Sequence, residues 1–171
     1  AFFALKPLVI VQTFVSGYND VVMMAFALLA FYFLKKRKFC LAFFSLTLSF
    51  LIKFATIFLL PVFIYAFLSR PKIDWSKIWR YAAYSMLFVF LLSALREEIY
   101  SWYFIWPLSF IALLPEWPSI VIVASAFSFG LMFRIAPLLY TRSWSGITPT
   151  VKEIVSFLPP TLALAYFKLR K

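Results

Sequence analysis

Histidine is absent from the 171 residues of this chain, and cysteine occurs once, as Cys40. Without histidine the chain cannot form a Ser/His/Asp triad or a histidine zinc site, and imidazole acid and base catalysis is excluded. A single cysteine excludes an intrachain disulfide and a cysteine metal site. Any catalysis must therefore rest on carboxylates, lysine, tyrosine or a cofactor.

Acidic residues are also scarce, with 6 Asp and Glu against 17 Lys and Arg. Hydrophobic residues make up 65% of the chain and aromatic residues 22%, whereas soluble domains are about 45–50% apolar. This composition predicts an integral membrane protein. In such a protein a basic excess marks the loops that face the cytoplasm. The formal charge of +11 therefore does not indicate nucleic-acid binding.

Basic clusters at residues 35–38, 70–80 and 168–171 divide the apolar runs. Placing all three in the cytoplasm predicts an all-α bundle, with one transmembrane domain over residues 1–171 and a cytoplasmic C-terminus. About seven membrane segments result, some of them short or re-entrant helices. The apolar runs that supply these segments are 1–17 (a broken span or an interfacial helix), 21–34, 39–68, 81–95, 107–114, 119–140 and 154–167.

The run 39–68 is too long for one span, because a helix of that length reaches about 45 Å against a hydrocarbon core of about 30 Å. We therefore predict a hairpin that turns near Lys53. The chain begins at Ala1, with no initiator methionine and no charged segment before its first apolar run. We expect it to be the C-terminal part of a longer protein, and not to begin with a signal peptide.

Ionisable residues gather on the outer face of this topology. Ionisable groups at a membrane edge are costly and usually face a protein interior or a wet cavity, so this group is the candidate functional site. Its acids are Asp20, Glu97, Glu98 and Glu153, and its bases include Lys53, Arg96, Arg134 and Arg142.

Each of these candidates has a structural alternative. Asp20 is either the stabilised first residue of a helix that Asn19 caps, or a base or metal ligand. Lys53 either contacts a phosphate or extends its ammonium to the membrane interface, and Arg134 has the same two interpretations. The segment 96–98 is either a polar helix end with a local ion pair or part of the site.

The aromatic residues Trp102, Tyr103 and Trp106 also allow two interpretations. Aromatic side chains form belts at both membrane interfaces. Their flat faces also bind sugar rings and isoprenoid chains.

Four ordered motifs resemble a known group of enzymes. They are Gly17-Tyr18-Asn19-Asp20, the basic turn at 35–38, Leu51-Ile52-Lys53 leading to Leu59-Leu60-Pro61, and Trp102-Tyr103 with Trp106-Pro107. The chain is similar to GT-C-type polyprenyl-phosphate-sugar-dependent glycosyltransferases, and most similar to their prokaryotic, mannosyltransferase-like branch. The resemblance implies a multi-pass protein of the cell membrane that transfers a sugar from a polyprenyl-phosphate donor to a glycan or lipid acceptor at the extracytoplasmic face.

Site roles follow from this resemblance. The catalytic candidates are Asp20, Glu97 and Glu98, and the substrate-binding candidates are Tyr18, Asn19, Lys53, Arg96, Trp102, Tyr103 and Arg134. The resemblance requires no nucleotide sugar and implies no definite cofactor, and a divalent cation is one option. The family's usual histidine is replaced by Tyr18, and an acidic motif is expected upstream of Ala1, so we expect this chain alone to be inactive. The alternatives are a transporter or flippase for lipid-linked sugars and a non-catalytic membrane scaffold.

Overall fold

The structure is a computed structural model that describes residues 6–11, 19–69, 73–96, 99–114 and 116–169, with only the backbone described for 94–96. These ranges are helical and contain no strand, which confirms the predicted all-α class. Their α-helices are α1 (Pro7–Ile10), α2 (Asp20–Lys35), α3 (Phe39–Ile52), α4 (Leu60–Leu68), α5 (Trp75–Arg96), α6 (Ile105–Ile111), α7 (Pro118–Met132), α8 (Ala136–Thr141) and α9 (Thr148–Leu169). Short 3₁₀ segments cover Phe54–Leu59, Ser101–Phe104 and Phe133–Ile135.

Among the described residues, one helical stretch is long and apolar enough to cross a membrane by length and composition. It is the 24-residue stretch Pro118–Thr141, which joins α7 to α8. Shorter apolar helices cover Phe39–Ile52 and Phe54–Leu68. The 14 residues of α3 reach about 21 Å, less than the hydrocarbon core of a bilayer. The seven membrane segments therefore stay a prediction.

The first helical pair, α2 and α3, is joined by the basic turn. Arg37 has a positive φ of 59°, and the backbone N–H of Lys38 donates to the carbonyl of Phe33 at 2.9 Å. This bond closes α2 as a left-handed C-terminal residue usually does. Along the pair, the Ser49 hydroxyl donates to the carbonyl of Met23 at 2.8 Å, so a small residue lets the two helices approach closely.

The predicted hairpin in 39–68 is confirmed. Lys53 separates α3 from the next 3₁₀ segment with extended dihedrals, φ −156° and ψ 128°. The ring of Phe39 contacts Phe67 with centroids 5.6 Å apart, and that of Phe43 contacts Phe63 at 5.1 Å. In each pair, the two residues are equally far from Lys53 along the sequence. This pairing places Lys53 at the turn between two antiparallel helical segments.

The core is aromatic at the level of Phe31 on α2. Its buried ring meets Phe63 on α4 at 5.7 Å, Trp79 on α5 at 5.7 Å and Phe110 on α6 at 5.8 Å, each edge to face. Edge-to-face pairs contribute about 0.5–1.5 kcal/mol beyond their buried area. One side chain therefore joins four helices.

The second half of the chain is built on α7 and α9. A Cβ added at Gly130 would lie 2.5 Å from the carbonyl oxygen of Ser156, so glycine permits the close contact of these two helices. The buried side chains of α9 recur every four residues, as expected for one helix face. They are Thr148, Lys152, Ser156 and Pro160.

Contacts between helix ends define a basic end of the bundle, formed by Lys35, Ser76, Arg80, Glu116 and Trp117. The Ser76 hydroxyl donates to the Glu116 carboxylate at 2.5 Å, and the Arg80 guanidinium lies 5.0 Å from the ring centroid of Trp117. The ammonium of Lys35 lies over the ring of Trp75 on α5. The ends of α2, α5 and α7 are thereby joined.

Two predicted boundaries need correction. The last membrane segment was predicted over residues 154–167, but its helix α9 begins at Thr148, where the Thr141 and Thr148 hydroxyls lie 2.8 Å apart. The helix expected from residue 107 begins at Ile105 instead. Pro107 is tolerated there because amides of the first helical turn need no intrahelical acceptor.

Candidate functional site

Asp20 is the first residue of α2, and it is buried, with 1% of its surface exposed. The positive end of the helix dipole favours a carboxylate at this position. Asn19 occupies the N-cap position, but its side chain makes no capping hydrogen bond. The predicted side-chain cap is therefore wrong: Asn19 has helical dihedrals, φ −73° and ψ −3°, whereas a capping residue needs an extended backbone.

Lys53 reaches Asp20 from the turn of the hairpin. Its Nζ lies 3.0 Å from Asp20 Oδ1, and 29% of the lysine side chain is exposed. Because the extended backbone of Lys53 interrupts the helix, its side chain can turn back toward the start of α2. The ion pair joins two residues that the sequence singled out separately.

Two aromatic residues complete the group. The Trp106 Nε1–H donates to Asp20 Oδ1 at 2.6 Å. The Lys53 ammonium lies 4.2 Å from the ring centroid of Tyr103 and 5.0 Å from that of Trp106. The two rings stack with centroids 4.4 Å apart and planes 26° from parallel. We call Asp20, Lys53, Tyr103 and Trp106 the Asp20 cluster.

The two charges of the cluster are held differently. A carboxylate that is removed from water needs donors or a cation to offset its desolvation, and Asp20 has both, in Trp106 and Lys53. The Lys53 ammonium is instead partly open to solvent, with aromatic faces beside it that attract cations. The cluster therefore presents a positive charge at its accessible side, which suits binding of an anionic group.

The other predicted site residues lie near the same end of the bundle. The ring of Trp102 stacks on Tyr100 at 4.6 Å. The hydroxyl of Ser101 donates to the carbonyl of Leu131 at 2.8 Å, which ties this aromatic segment to the end of α7. Three residues further on, Arg134 is 7% exposed and its Nη1 donates to Ser156 Oγ at 3.1 Å. Arg134 is thus held against α9.

Several predicted residues lie outside this description. Tyr18, Glu97 and Glu98 are not among the described residues, and Arg96 is described by its backbone as the end of α5. Among the residues that are described, no group of three or more His, Cys, Asp or Glu side chains is placed to hold a metal ion.

Trp106 was not among the predicted site residues, although it belongs to the aromatic motif of the resemblance and had the same two interpretations as Tyr103. A signal was present in its spacing. Residues three apart lie on the same face of a helix and nearly eclipse each other in a 3₁₀ segment. Tyr103 and Trp106 have this spacing. The choice of Tyr103 as a site residue therefore indicated that Trp106 lies on the same face.

The fold and the cluster together define a class of protein. It is an apolar protein, helical in its described residues, with an ion pair beside two stacked aromatic rings. Ion pairs of this kind are typical of intramembrane sites. The family model described as Alpha-(1->6)-mannopyranosyltransferase, N-terminal domain (MptA_B_family) matches residues 1–69. This segment contains Asp20 and Lys53, whereas Tyr103 and Trp106 lie beyond it. The match supports a mannosyltransferase-like glycosyltransferase with a sugar donor and an acceptor. No curated protein and no solved structure matches the chain.

Proposed function

We propose that the protein is a multi-pass membrane glycosyltransferase that transfers a mannosyl group from a polyprenyl-phosphate donor to a glycan or lipid acceptor. The observation that carries the proposal is Lys53, whose ammonium lies 3.0 Å from a buried carboxylate and whose side chain is 29% exposed. It belongs to the segment that matches the mannosyltransferase family. An ammonium in this position offers a phosphate a charged donor.

The proposed reaction uses the two charges in sequence. The donor phosphate binds Lys53 and so competes with Asp20 for the ammonium. The acceptor hydroxyl oxygen then bonds to the anomeric carbon, and the bond from that carbon to the phosphate oxygen breaks. The phosphate keeps the electron pair, with its charge stabilised by Lys53, and Asp20 accepts the hydroxyl proton.

Further residues extend this assignment. The half-buried ring of Tyr103 beside Lys53 suits a sugar ring, and Trp102 lies on the same segment as Tyr103. Arg134 is a second cation for the donor phosphate. Tyr18, Asn19, Arg96, Glu97 and Glu98 keep the roles that the resemblance gives them.

The proposal places the Asp20 cluster at the extracytoplasmic face and the basic end in the cytoplasm. Basic loops favour the cytoplasm, and Lys35, Lys77 and Arg80 all belong to helix ends on that side of the proposed topology. The seven membrane segments and the cytoplasmic C-terminus form part of this proposal.

The test uses the protein in proteoliposomes, with whatever sequence naturally precedes Ala1 included, and with radiolabelled polyprenyl-phosphate mannose. Donor binding and transfer are measured separately. Lys53→Met should weaken donor binding about 10-fold or more, since a hydrogen bond to a charged group contributes about 1.5–3 kcal/mol. Asp20→Asn should abolish transfer while changing donor binding less than about threefold. Lys77→Met is the matched control, because this lysine also pairs with an aspartate, Asp74, but at an exposed site.

The results that would oppose the proposal are specific. Unchanged binding and transfer in both cluster variants would remove these residues from the site. Flux of the donor across the bilayer without a transfer product would identify a flippase instead.

A further inference from the structure

A groove of about 790 Å³ lies between α5, α6, α7 and α9. Its volume falls in the range of about 300–1,000 Å³ that is usual for ligand pockets. The walls are apolar and include Phe104, Phe127, Leu164 and Phe167, while Ser119 and Lys168 supply polar groups where α7 begins and α9 ends.

The groove exists because α7 and α9 separate. They touch where Gly130 meets the backbone of Ser156, and the buried stripe of α9 ends at Pro160. One turn later Leu164 is 56% exposed, although it lines the groove. Pro159 and Pro160 lie at this point, and prolines inside a helix remove backbone hydrogen bonds and bend it. The two prolines of α9 thus lie where the groove between α7 and α9 begins.

The mouth of the groove carries positive charge. Lys168 lines it, and Pro118, the first residue of the 15-residue helix α7, brings the positive end of a helix dipole to the same place. The nearby basic end adds Arg80, whose guanidinium lies against Trp117. Tryptophan and basic residues together are typical of a protein surface at the level of lipid headgroups.

These features fit one kind of occupant. From Pro118 to Phe127 the groove follows α7 for about 14 Å, which suits a hydrocarbon chain lying along the helix. We propose that this groove binds one acyl chain of an anionic glycerophospholipid, with the lipid phosphate at Lys168 and the amino end of α7. The polar end of the groove adjoins the basic end of the bundle and is distinct from Lys53, while its apolar wall reaches Phe104, the residue after Tyr103. The proposal does not depend on the proposed activity.

The test measures lipid retention by the full chain after delipidation in an uncharged detergent. Phosphatidylglycerol or phosphatidylcholine with identical acyl chains is added, and native mass spectrometry counts the bound lipid. Phosphatidylglycerol should be retained about 10-fold more strongly. Leu164→Trp, which fills the groove, should lower its retention at least fivefold. Leu162→Trp is the matched control, because Leu162 is similarly exposed but does not line the groove.

Charge is tested with a second pair of variants. Lys168→Gln should lower phosphatidylglycerol retention about fivefold, the effect of one cation near an anionic lipid surface, whereas Lys77→Gln should not. Equal retention of the two lipids, or full retention by Leu164→Trp, would overturn the proposal. So would displacement of phosphatidylglycerol by an equal amount of polyprenyl phosphate, or dimerisation through the emptied groove.

Discussion

Removing one charge of the Asp20 cluster should destabilise the protein by an amount that depends on which charge is removed. Lys53→Met leaves the Asp20 carboxylate, which is 1% exposed, with Trp106 as its remaining donor in the described part of the chain. A buried charge without its partner costs about 3–5 kcal/mol. Asp20→Asn instead leaves a lysine whose side chain is already 29% exposed and whose ammonium keeps both aromatic contacts. It should cost about 1–2 kcal/mol.

The double variant separates this explanation from a simple loss of contacts. Combining Asp20→Asn with Lys53→Met leaves no buried carboxylate to compensate. We therefore expect the double variant to be more stable than Lys53→Met alone, by about 1–3 kcal/mol, because the cost of a buried charge without its partner is removed.

The assay is thermal unfolding of the full chain in one detergent at pH 7, followed by circular dichroism. A chain of this size shifts its Tm by about 2–4 °C per kcal/mol, so Lys53→Met should lower the Tm by about 6–20 °C and Asp20→Asn by about 2–8 °C. If the two single variants lose equal stability, or if their effects simply add, the buried carboxylate does not dominate the energetics of the cluster.

Three further predictions concern separate parts of the fold. Trp106→Phe keeps the ring but removes the donor to Asp20 and should cost about 1–2 kcal/mol in the same unfolding assay; an unchanged Tm would show that this hydrogen bond contributes nothing. Gly130→Ala should cost about 1–3 kcal/mol through overpacking, since its Cβ would lie 2.5 Å from a carbonyl oxygen of α9; wild-type stability would contradict that packing. The hydrogen bond from the Ser76 hydroxyl lowers the pKa of Glu116 in the folded protein. This contact therefore stabilises the fold at a pH above the unfolded-state pKa of Glu116. The stabilisation is lost as the pH falls through the folded-state pKa of Glu116. Ser76→Ala should therefore flatten the decline of Tm between about pH 5 and pH 3, and an unchanged slope would refute the assignment.

The hairpin and the Asp20 cluster differ in how far sequence could predict them. The turn at Lys53 could be predicted from the length of one run, because the 30 residues of the largely apolar run 39–68 exceed the thickness of a bilayer as a single helix. The ion pair did not follow, although both residues were candidates, because it depends on the register between α2 and the hairpin. That register is set by contacts such as the Ser49 hydroxyl on the Met23 carbonyl, which composition and spacing do not reveal.

The geometry of the cluster also bears on why Asp20 and Lys53 can have separate roles. In the described part of the chain, Asp20 accepts two side-chain hydrogen bonds, and both use Oδ1. One comes from Lys53 at 3.0 Å and one from Trp106 at 2.6 Å. An anion that draws the ammonium away removes the first contact and leaves the second, so Trp106 continues to hold Asp20 in place. The rings of Tyr103 and Trp106 stay beside the ammonium in either state, because cation–π attraction does not require the carboxylate. In the proposed mechanism, an exchange of partners at Lys53 therefore leaves Asp20 held by Trp106, as a carboxylate in position to accept a proton.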